Sequence, residues 1–360
     1  MAKRRSSTGL AGVMLAMSIT AAAPGHGAEA SPAVGARAEP SRRRMSPEEM
    51  GRLVHDPSTI VRCKDEYWLF ATGRGLISRR SEDLAHWSVG PRVFLSPPDW
   101  AAQAVPANRG HFWAPDVIRH NDRYLLYYSV SMWGVNTSAI GLATNVTLDP
   151  ADPDFGWTDQ GIVIQSGRHD DFNAIDPAVA RGRQGDLWLA FGSFWSGIKL
   201  IRLDPGSGKR LAPDSPIHGL AHHESIEAPM IHHRQGYYYL FVNWGLCARG
   251  VYSTYNIRIG RSTQITGPYL DKDGRDMLRD GGSLFLGTQN NFIGPGHAGV
   301  FSEGDRDWLS YHYYDGTRRG MPTLAVRRLD WDAEGWPQLR APTATPVEKT
   351  GAGLSSGACR

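Results

Sequence analysis

Three acidic residues, Asp56, Asp176 and Glu227, each stand at the head of a short apolar run with a proline one or two residues later. Carboxylates that share a site can divide acid and base work: one donates a proton to a leaving oxygen, and another activates water. A third carboxylate nearby, together with burial, raises the pKa of the acid so that it keeps its proton near neutral pH. This set of residues suggests glycosidic-bond cleavage, provided that the fold brings them together.

The acids recur along the chain at a spacing that is typical of a repeat fold. Asp116 lies 60 residues after Asp56, and Asp176 follows after another 60. Glu227 comes 51 residues later, and His297, in a divergent fifth copy, another 70 residues on. Because a period of this size indicates stacked or radially arranged units, we expect five of them.

Each unit continues with an apolar run, a polar turn and an aromatic strand, which together predict a β-hairpin. The aromatic strands are predicted at 67–70, 124–128, 187–191, 237–241 and 308–311, and a third strand at 139–143, 198–201 and 256–260. Five such units predict an all-β fold, a five-bladed β-propeller. The first strand of each blade faces the axis, so we expect Asp56, Asp176 and Glu227 to meet at one end of the central channel.

An Asp-Pro pair can also be a turn that begins a blade and has no chemical role. That interpretation suits any single copy, but it accounts poorly for Glu227, because glutamate is a weak turn former. Nor does it explain why acids recur near one register in four blades. Asp116 is the exception: it lies two residues after Ala114, out of step with the other acids, and we interpret it as structural.

The two ends of the chain differ in composition from its middle. Residues 1–30 predict a signal peptide, with basic residues at 3–5, an apolar run at 10–23 and the small-residue pattern Ala28-Glu29-Ala30. The apolar run is short for a membrane anchor. We expect a flexible lead-in at 31–45, the propeller at 46–340 and a loose tail at 341–360. The protein is therefore predicted to be secreted or periplasmic.

The composition is that of a soluble protein, with 41% hydrophobic and 21% charged residues among 360. Removing residues 1–30 takes away three basic residues and one acidic residue, which lowers the formal charge from +3 to +1. No basic run then remains to indicate nucleic-acid binding. The three cysteines, Cys63, Cys247 and Cys359, are too few for a disulfide framework, and their spacing resembles no zinc site.

The span from about 50 to 340 resembles the glycoside hydrolase family 43 arabinanases, which are five-bladed propellers. The matching motifs are HDPS at 55–58, FWAPD at 112–116, NAIDP at 173–177, GSFWSGI at 192–198, IEAP at 226–229 and GPGH at 294–297. Each motif is weak alone, but their order and spacing together are specific. One departure is the sequence after Cys247, where Ala248 stands in place of a second cysteine or a bulky residue.

The resemblance implies a role for each of the three acids. Asp56 matches the general base, Glu227 the general acid, and Asp176 the residue that raises the pKa of Glu227 and orients it. The substrate contacts it implies are Asp56, Trp113, Gly134, Asn173, Ala174, Ile175, Asp176, Ser193, Phe194 and Trp195. Gly134 is expected to let substrate approach the backbone. His297 matches a histidine at which the family often holds calcium with mostly water ligands, although calcium normally prefers oxygen ligands.

These observations predict a secreted, inverting, endo-acting hydrolase of α-1,5-linked L-arabinan. Its partners would be plant cell-wall arabinan or arabino-oligosaccharides, with no nucleic acid, no membrane after removal of the leader, and a monomeric state. One alternative is an exo-acting α-L-arabinofuranosidase or β-xylosidase on the same fold. An alternative of another class is a non-catalytic carbohydrate-binding propeller, which would keep the aromatic residues but would not need three acids.

Overall fold

Five antiparallel β-sheets follow one another along the chain in a computed structural model that describes residues 44–339. Each sheet is one blade, so the predicted all-β, five-bladed propeller is confirmed. The predicted signal peptide, most of the lead-in and the tail lie outside the described residues. Within the described range, no helix is both long and apolar enough to cross a membrane.

The first two blades are linked by one short strand that leaves its own sheet. Blade 1 contains β1 (Val61–Cys63), β2 (Glu66–Ala71), β4 (Ile77–Ser81) and β5 (Ser88–Val89). Between β2 and β4, β3 (Gly73–Arg74) pairs instead with the first strand of blade 2. Blade 2 continues with β6 (His111–His120), β7 (Arg123–Val130), β8 (Ser138–Asn145) and β9 (Thr158–Ser166).

The other three blades each use four consecutive strands. Blade 3 contains β10 (Ala178–Arg181), β11 (Leu187–Phe191), β12 (Ile198–Leu203) and β13 (His218–Ala221). Blade 4 contains β14 (Ile226–Arg234), β15 (Tyr237–Trp244), β16 (Asn256–Ser262) and β17 (Ser283–Leu286). Blade 5 contains β18 (Phe292–Glu303), β19 (Arg306–Asp315), β20 (Met321–Trp331) and β21 (Pro337–Leu339).

The second strand of each blade is buried on both faces, because neighbouring blades pack against it. Strand β7 is buried from Tyr124 to Val130, and β15 from Tyr238 to Asn243. In the sequence such strands are continuous apolar and aromatic runs, whereas a strand buried on one face alternates apolar and polar residues. The aromatic runs in the sequence therefore mark the middle of the core.

Two short helices precede the first strands of blades 1 and 2. Helix α1 (Pro47–Arg52) begins with a capping box, in which Ser46 and Glu49 bond to each other's backbone N–H. Helix α2 spans Asp99–Ala104. The repeat pattern of strands and turns does not predict α1, although Ser46-Pro47-Glu48-Glu49 is a recognisable helix start.

One residue with a left-handed backbone lies at the channel end of each blade. These residues are Asp56, Ala114, Asp176, Ala228 and His297, with φ of 50°, 44°, 56°, 52° and 58°. They define the true register of the repeat. Glu227 therefore precedes its register position by one residue, so it lies near the register of Asp56 and Asp176 but not at it. Asp116 lies two residues after Ala114, the left-handed position of blade 2.

The backbone N–H of each of these five residues donates a hydrogen bond to a side chain of the preceding blade. We call these five hydrogen bonds the inter-blade ring. The pairs are Ala114 to Thr72 Oγ1 (2.8 Å), Asp176 to Ser129 Oγ (2.9 Å), Ala228 to Asp176 Oδ2 (3.1 Å), His297 to Asn243 Oδ1 (2.9 Å) and Asp56 to His312 Nδ1 (3.1 Å). Bonds to buried amides matter because an unpaired one costs about 1–3 kcal/mol.

Blade 3 departs from the pattern of the inter-blade ring. In blades 1, 2, 4 and 5, the accepting side chain belongs to a residue at or near the end of the second strand. This residue lies opposite the one that precedes the left-handed residue of the same blade. In blade 3 this position is Gly192, whose N–H bonds to the carbonyl of Ile175. Glycine has no side chain to offer, so the carboxylate of Asp176 accepts the Ala228 N–H instead.

Blade 5 meets blade 1 without sharing a paired sheet. Within residues 44–339, the contacts that close the ring include an isolated bridge between Leu53 and Thr323, side-chain hydrogen bonds, and a hydrophobic cluster in which Leu69 of blade 1 packs with Trp308 and Leu324 of blade 5. Among these, the Asp56 N–H bonds to His312 and His55 Nε2 lies 2.7 Å from the Tyr314 hydroxyl. Ring closure thus takes place beside Asp56.

Candidate active site

Asp56, Asp176 and Glu227 meet at the channel end of the propeller, as the sequence predicted. Asp176 and Glu227 are buried and Asp56 is largely buried, and the charge of Asp56 raises the pKa of both other acids. They come from blades 1, 3 and 4, so convergence requires the closed ring. Three acids at one end of a channel provide the components for acid–base chemistry.

Asp56 is surrounded by histidines. His55 Nδ1 lies 2.8 Å from Asp56 Oδ2, and the rings of His297 and His312 lie 3.6 Å and 3.7 Å from Oδ1. Thr72 Oγ1 also donates to Oδ2 at 2.6 Å. Burial alone would raise the pKa of Asp56, but the charge and hydrogen bond of His55, assisted by the other two rings, hold it well below its usual range. Asp56 is therefore ionised.

His55 is the charged partner of this carboxylate. Burial opposes its charge, but Asp56 and, more weakly, Glu227 raise its pKa above the usual value. The ring stacks on His312 with centroids 4.1 Å apart. His312 instead has a pKa well below its usual value because of burial and the charge of His55, and its Nδ1 accepts the Asp56 N–H. The result is an imidazolium–carboxylate pair beside a neutral imidazole.

Glu227 lies in a different environment, among hydroxyl and thiol donors. Burial raises the pKa of its carboxyl, and the charge of Asp56 adds to this effect. Ser193 Oγ donates to Glu227 Oε2 at 2.8 Å, and the polar side chains of Tyr255 and Cys247 also act to lower the pKa of Glu227. These donors oppose the rise in the pKa, but burial prevails.

Asp176 is coupled to Glu227. Its pKa is raised well above the usual value, first by burial and then by the charges of Glu227 and Asp56. Two buried carboxyl groups that repel each other titrate as a pair. The pair Asp176–Glu227 therefore keeps a proton to higher pH than Asp56 does. The Ala228 N–H fixes the Asp176 carboxylate in place.

Asp116 has the structural role that the sequence analysis gave it. Its carboxylate accepts the N–H groups of Thr59 at 2.9 Å and Val179 at 2.8 Å, which joins blades 1, 2 and 3. Burial raises its pKa to about 6. None of its contacts is with the three channel acids.

Asn173, Ala174 and Ile175 form a buried loop that leads into Asp176. Ser138 donates to Asn173 Oδ1 at 2.7 Å, and Ser166 Oγ accepts the Ala174 N–H at 2.9 Å. The side chain of Asn173 is therefore oriented before any ligand arrives.

Phe194 and Trp195 follow Ser193 in a strained turn, with φ of 52° and 41°. The Phe194 N–H bonds to the carbonyl of Ile226 at 2.7 Å, which ties this loop to the residue before Glu227. Trp195 is 41% exposed at the rim. Of the two residues, only Trp195 presents a large exposed ring.

Trp113 and Gly134 lie in blade 2. Trp113 packs against Trp133, with ring centroids 5.4 Å apart, and Trp133 is 72% exposed. Gly134 has φ of 76°, and a Cβ there would meet nothing within 4 Å. The left-handed backbone accounts for this glycine without a close approach by substrate.

His297, the predicted metal ligand, has its Nδ1 3.6 Å from Asp56 Oδ1. Among the described residues, one group of three side chains could hold a metal ion: His55, Asp56 and His312. Its ligand atoms are already hydrogen bonded, since His55 bonds to the carboxylate and His312 to the Asp56 N–H. Calcium takes 6–8 oxygen ligands. This donor set does not fit calcium held by protein oxygens, so calcium at His297 stays a prediction.

Sequence reasoning missed four residues that contact the channel acids: His55, Cys247, Tyr255 and His312. His55 stands in the HDPS motif at 55–58, and Cys247 is one of three cysteines whose spacing resembles no zinc site. Adjacency to Asp56 could have revealed His55. The others lie 20 or more residues from the acid they contact, so no local pattern indicates them.

Comparison with known families identifies one that spans the whole propeller. The model of the family described as glycosyl hydrolases family 43 matches residues 51–337. An extracellular exo-alpha-(1->5)-L-arabinofuranosidase of Cellvibrio japonicus is 43% identical over 300 residues, which cover 79% of this chain and 86% of that protein. An extracellular endo-alpha-(1->5)-L-arabinanase of Bacillus subtilis is 40% identical over 293 residues, covering 79% and 87%.

Solved structures agree with these relatives. The alpha-L-arabinanase of Cellvibrio cellulosa, in complex with arabinohexaose, superimposes with a TM-score of 0.77 at 42% sequence identity. The match covers 80% of this chain and 95% of that one.

Proposed function

The chain belongs to glycosyl hydrolase family 43, and from this premise we propose that it hydrolyses the α-1,5 linkages of L-arabinan. The observation that carries the proposal is the convergence of three acids in two different environments at one end of the channel. Burial raises the pKa values of Asp176 and Glu227, whereas His55, 2.8 Å from Asp56, holds the pKa of that carboxyl well below its usual range. A non-catalytic sugar-binding propeller would not need acids with opposite pKa shifts.

We assign the roles by what each environment favours. Glu227 donates its proton to the glycosidic oxygen as the bond from that oxygen to the anomeric carbon breaks. Asp56 takes a proton from a water molecule, whose oxygen attacks the anomeric carbon. Asp176 raises the pKa of Glu227 and is fixed by the Ala228 N–H. Because water attacks directly, the anomeric configuration inverts.

We propose endo action on the basis of the exposed rings at the channel end. Trp133, Trp195 and Tyr252 lie on loops of blades 2, 3 and 4 and are 72%, 41% and 82% exposed. Three consecutive blades thus present aromatic surfaces on which several sugar units could stack, which suits a chain bound along its length. Relatives of both modes resemble this chain, so an exo-acting arabinofuranosidase is the alternative.

The test compares products released from debranched arabinan and from xylan. We expect short arabino-oligosaccharides of several lengths early in the reaction, a rapid fall in viscosity, and no release from xylan. A single product that accumulates from the first minutes would favour exo action. Proton NMR of the first product should show the inverted β-anomer; a retained α-anomer would mean that Asp56 acts as a nucleophile.

We also propose that the protein is secreted. The predicted signal peptide supports this, and both curated relatives are named extracellular. A monomeric state stays a prediction.

Asp176→Asn is expected to move the alkaline limb of the kcat/KM profile toward acid. This limb reports loss of the proton from the acid. Removing the charge that repels the Glu227 carboxylate makes that carboxylate easier to form, so the pKa of Glu227 falls. A one-unit movement corresponds to about 1.4 kcal/mol of interaction. The measurement is kcat/KM against pH with thermal melts alongside; a limb that stays in place while the melting temperature falls would make Asp176 a structural residue.

A further inference from the structure

A cleft opens in blade 4 at the end of the propeller opposite to the channel acids. It lies between Tyr237, at the start of β15, and the loop that follows β16, and it has a volume of about 440 Å³. Tyr237 pairs with Arg234, seven residues along β14 from Glu227. At 3.3 Å per residue this separation is roughly 20 Å. The cleft is therefore a separate site, and its size is within the range of small-ligand pockets.

Two cations line this cleft, Arg261 and Lys272. The guanidinium of Arg261 contacts two aromatic rings, at 4.5 Å from the centroid of Tyr237 and 4.3 Å from that of Trp336. Its Nη1 donates to the carbonyl of Glu334 at 2.6 Å. The ammonium of Lys272, an exposed residue, lies 5.6 Å from the Trp336 centroid. Since a guanidinium has five N–H donors, these contacts fix Arg261 and still leave donors for an anion.

The positive charge of the cleft is not neutralised by ion pairs. Within residues 44–339, neither Arg261 nor Lys272 forms a salt bridge, and Asp271 is the one acid in the lining. Asp271 Oδ1 accepts the N–H groups of residues 273 and 275, and its Oδ2 accepts that of residue 282. The Asp271 carboxylate is thus held by three amides of its own loop. The lining keeps an excess of positive charge, which favours an anionic ligand.

The remaining polar side chains of the cleft suit a sugar. Thr263 and Gln264 are exposed, and among the described residues their side chains form no hydrogen bond. A hydroxyl and a carboxamide can each donate and accept, as sugar hydroxyls do. Arginine binds a carboxylate through two parallel N–H groups. The lining thus combines groups for a carboxylate with groups for neighbouring hydroxyls, and both features occur together in an acidic sugar.

We propose that this cleft binds a carboxylate-bearing sugar unit of an acidic polysaccharide. Arg261 binds the carboxylate, Lys272 adds a second positive charge, and Thr263 and Gln264 bind hydroxyls. Because the cleft lies at the opposite end from the channel acids, a polysaccharide bound here leaves the active site open. The inference goes beyond the proposed hydrolysis and requires no step of it.

The probe is trigalacturonate, and its binding to the whole protein is measured by isothermal titration calorimetry at low and high salt. We expect one site whose affinity falls as salt rises, because salt screens exposed charges. Lys272→Glu reverses a charge in the cleft and should weaken binding by about tenfold or more. Arg275→Glu is the matched control: it makes the same charge change at an exposed residue of the same loop, outside the lining, and should bind as wild type does. Arg261→Gln removes the paired donors and should also weaken binding by about tenfold or more.

Three further probes identify the class of ligand: neutral galactotriose, triglutamate and inorganic phosphate. Each should bind at least about ten times more weakly than trigalacturonate, since it lacks either the carboxylate or the sugar hydroxyls. Equal binding of galactotriose would mean that charge does not select the ligand. Equal binding of triglutamate or phosphate would mean that the hydroxyls do not. Either result overturns the inference, as does equal weakening by Lys272→Glu and Arg275→Glu.

Activity measurements separate this inference from the proposed function. The three variants should keep the wild-type kcat on debranched arabinan, because the cleft is remote from the channel acids. Thermal melts identify any variant that fails to fold, and the exposed Lys272 keeps the test available if Arg261→Gln is one of them. An enzyme that hydrolyses arabinan but does not bind trigalacturonate overturns the inference alone. Binding of trigalacturonate without hydrolysis of arabinan contradicts the proposed function alone.

Discussion

Glu227→Gln is expected to lower kcat on arabinan by about 10²–10⁴-fold, the usual contribution of a positioned general acid. Glutamine has nearly the same shape and can still accept from Ser193, so the burial and packing of the site should be kept. It has no acidic proton to give to the leaving oxygen. The measurement is steady-state kinetics on debranched arabinan at the pH optimum of the wild type.

An activated substrate serves as the control for this variant. An aryl arabinofuranoside with a good leaving group needs little protonation, so the loss of rate on it should be much smaller. Equal losses on both substrates would mean that Glu227 does not act as the acid. Activity on arabinan within a few-fold of wild type would contradict the assignment of Glu227 as the general acid.

Asp56→Asn should cause a loss of similar size, about 10²–10⁴-fold, on both kinds of substrate. The base activates water whichever leaving group departs, so an activated substrate should give no relief. Asparagine is the right replacement because residue 56 has φ of 50°, a backbone that asparagine tolerates better than alanine. A variant that is slow on arabinan but normal on the aryl substrate would assign to Asp56 the role of acid.

His55→Gln tests whether His55 keeps the Asp56 carboxyl ionised, because it removes the imidazolium and leaves Asp56 in place. Wild-type Asp56 has a pKa far below the usual value because His55 is charged beside it, so the acidic limb of kcat/KM should lie below pH 4, near or under the ordinary aspartate value. Without the imidazolium, burial dominates and the pKa of Asp56 should rise. The acidic limb should then move toward neutral pH. An unmoved limb would show that His55 does not set the charge of the base.

The fold could be predicted because the features that determine it are local. Each blade contains a hairpin, and runs such as Tyr237-Tyr238-Tyr239-Leu240-Phe241 mark strands that are buried on both faces. Spacing along the chain then gave the number of blades. The acids could be found for the same reason, since Asp56 and Asp176 lie in short Asp-Pro motifs.

The register and the neighbours of the acids could not be predicted from spacing. Ala114 and Ala228 occupy the left-handed positions of blades 2 and 4, and alanine gives no sign of a positive φ. Spacing alone therefore aligns blade 4 on Glu227, one residue before its left-handed position at Ala228. Partners such as His312 lie on a different blade from the acid they contact, so only the three-dimensional fold brings them together.

Because blades 1 and 5 join beside Asp56, the position of the proposed base depends on this junction staying closed. Blades 1 and 5 are held together by side chains and one isolated bridge, and His312 of the last blade bonds to the N–H of the base in the first. A molecule that opens transiently at this junction keeps its five sheets but loses the alignment of Asp56 with Glu227. A variant weakened at this junction is therefore expected to lose turnover while it keeps the circular dichroism spectrum of five intact sheets.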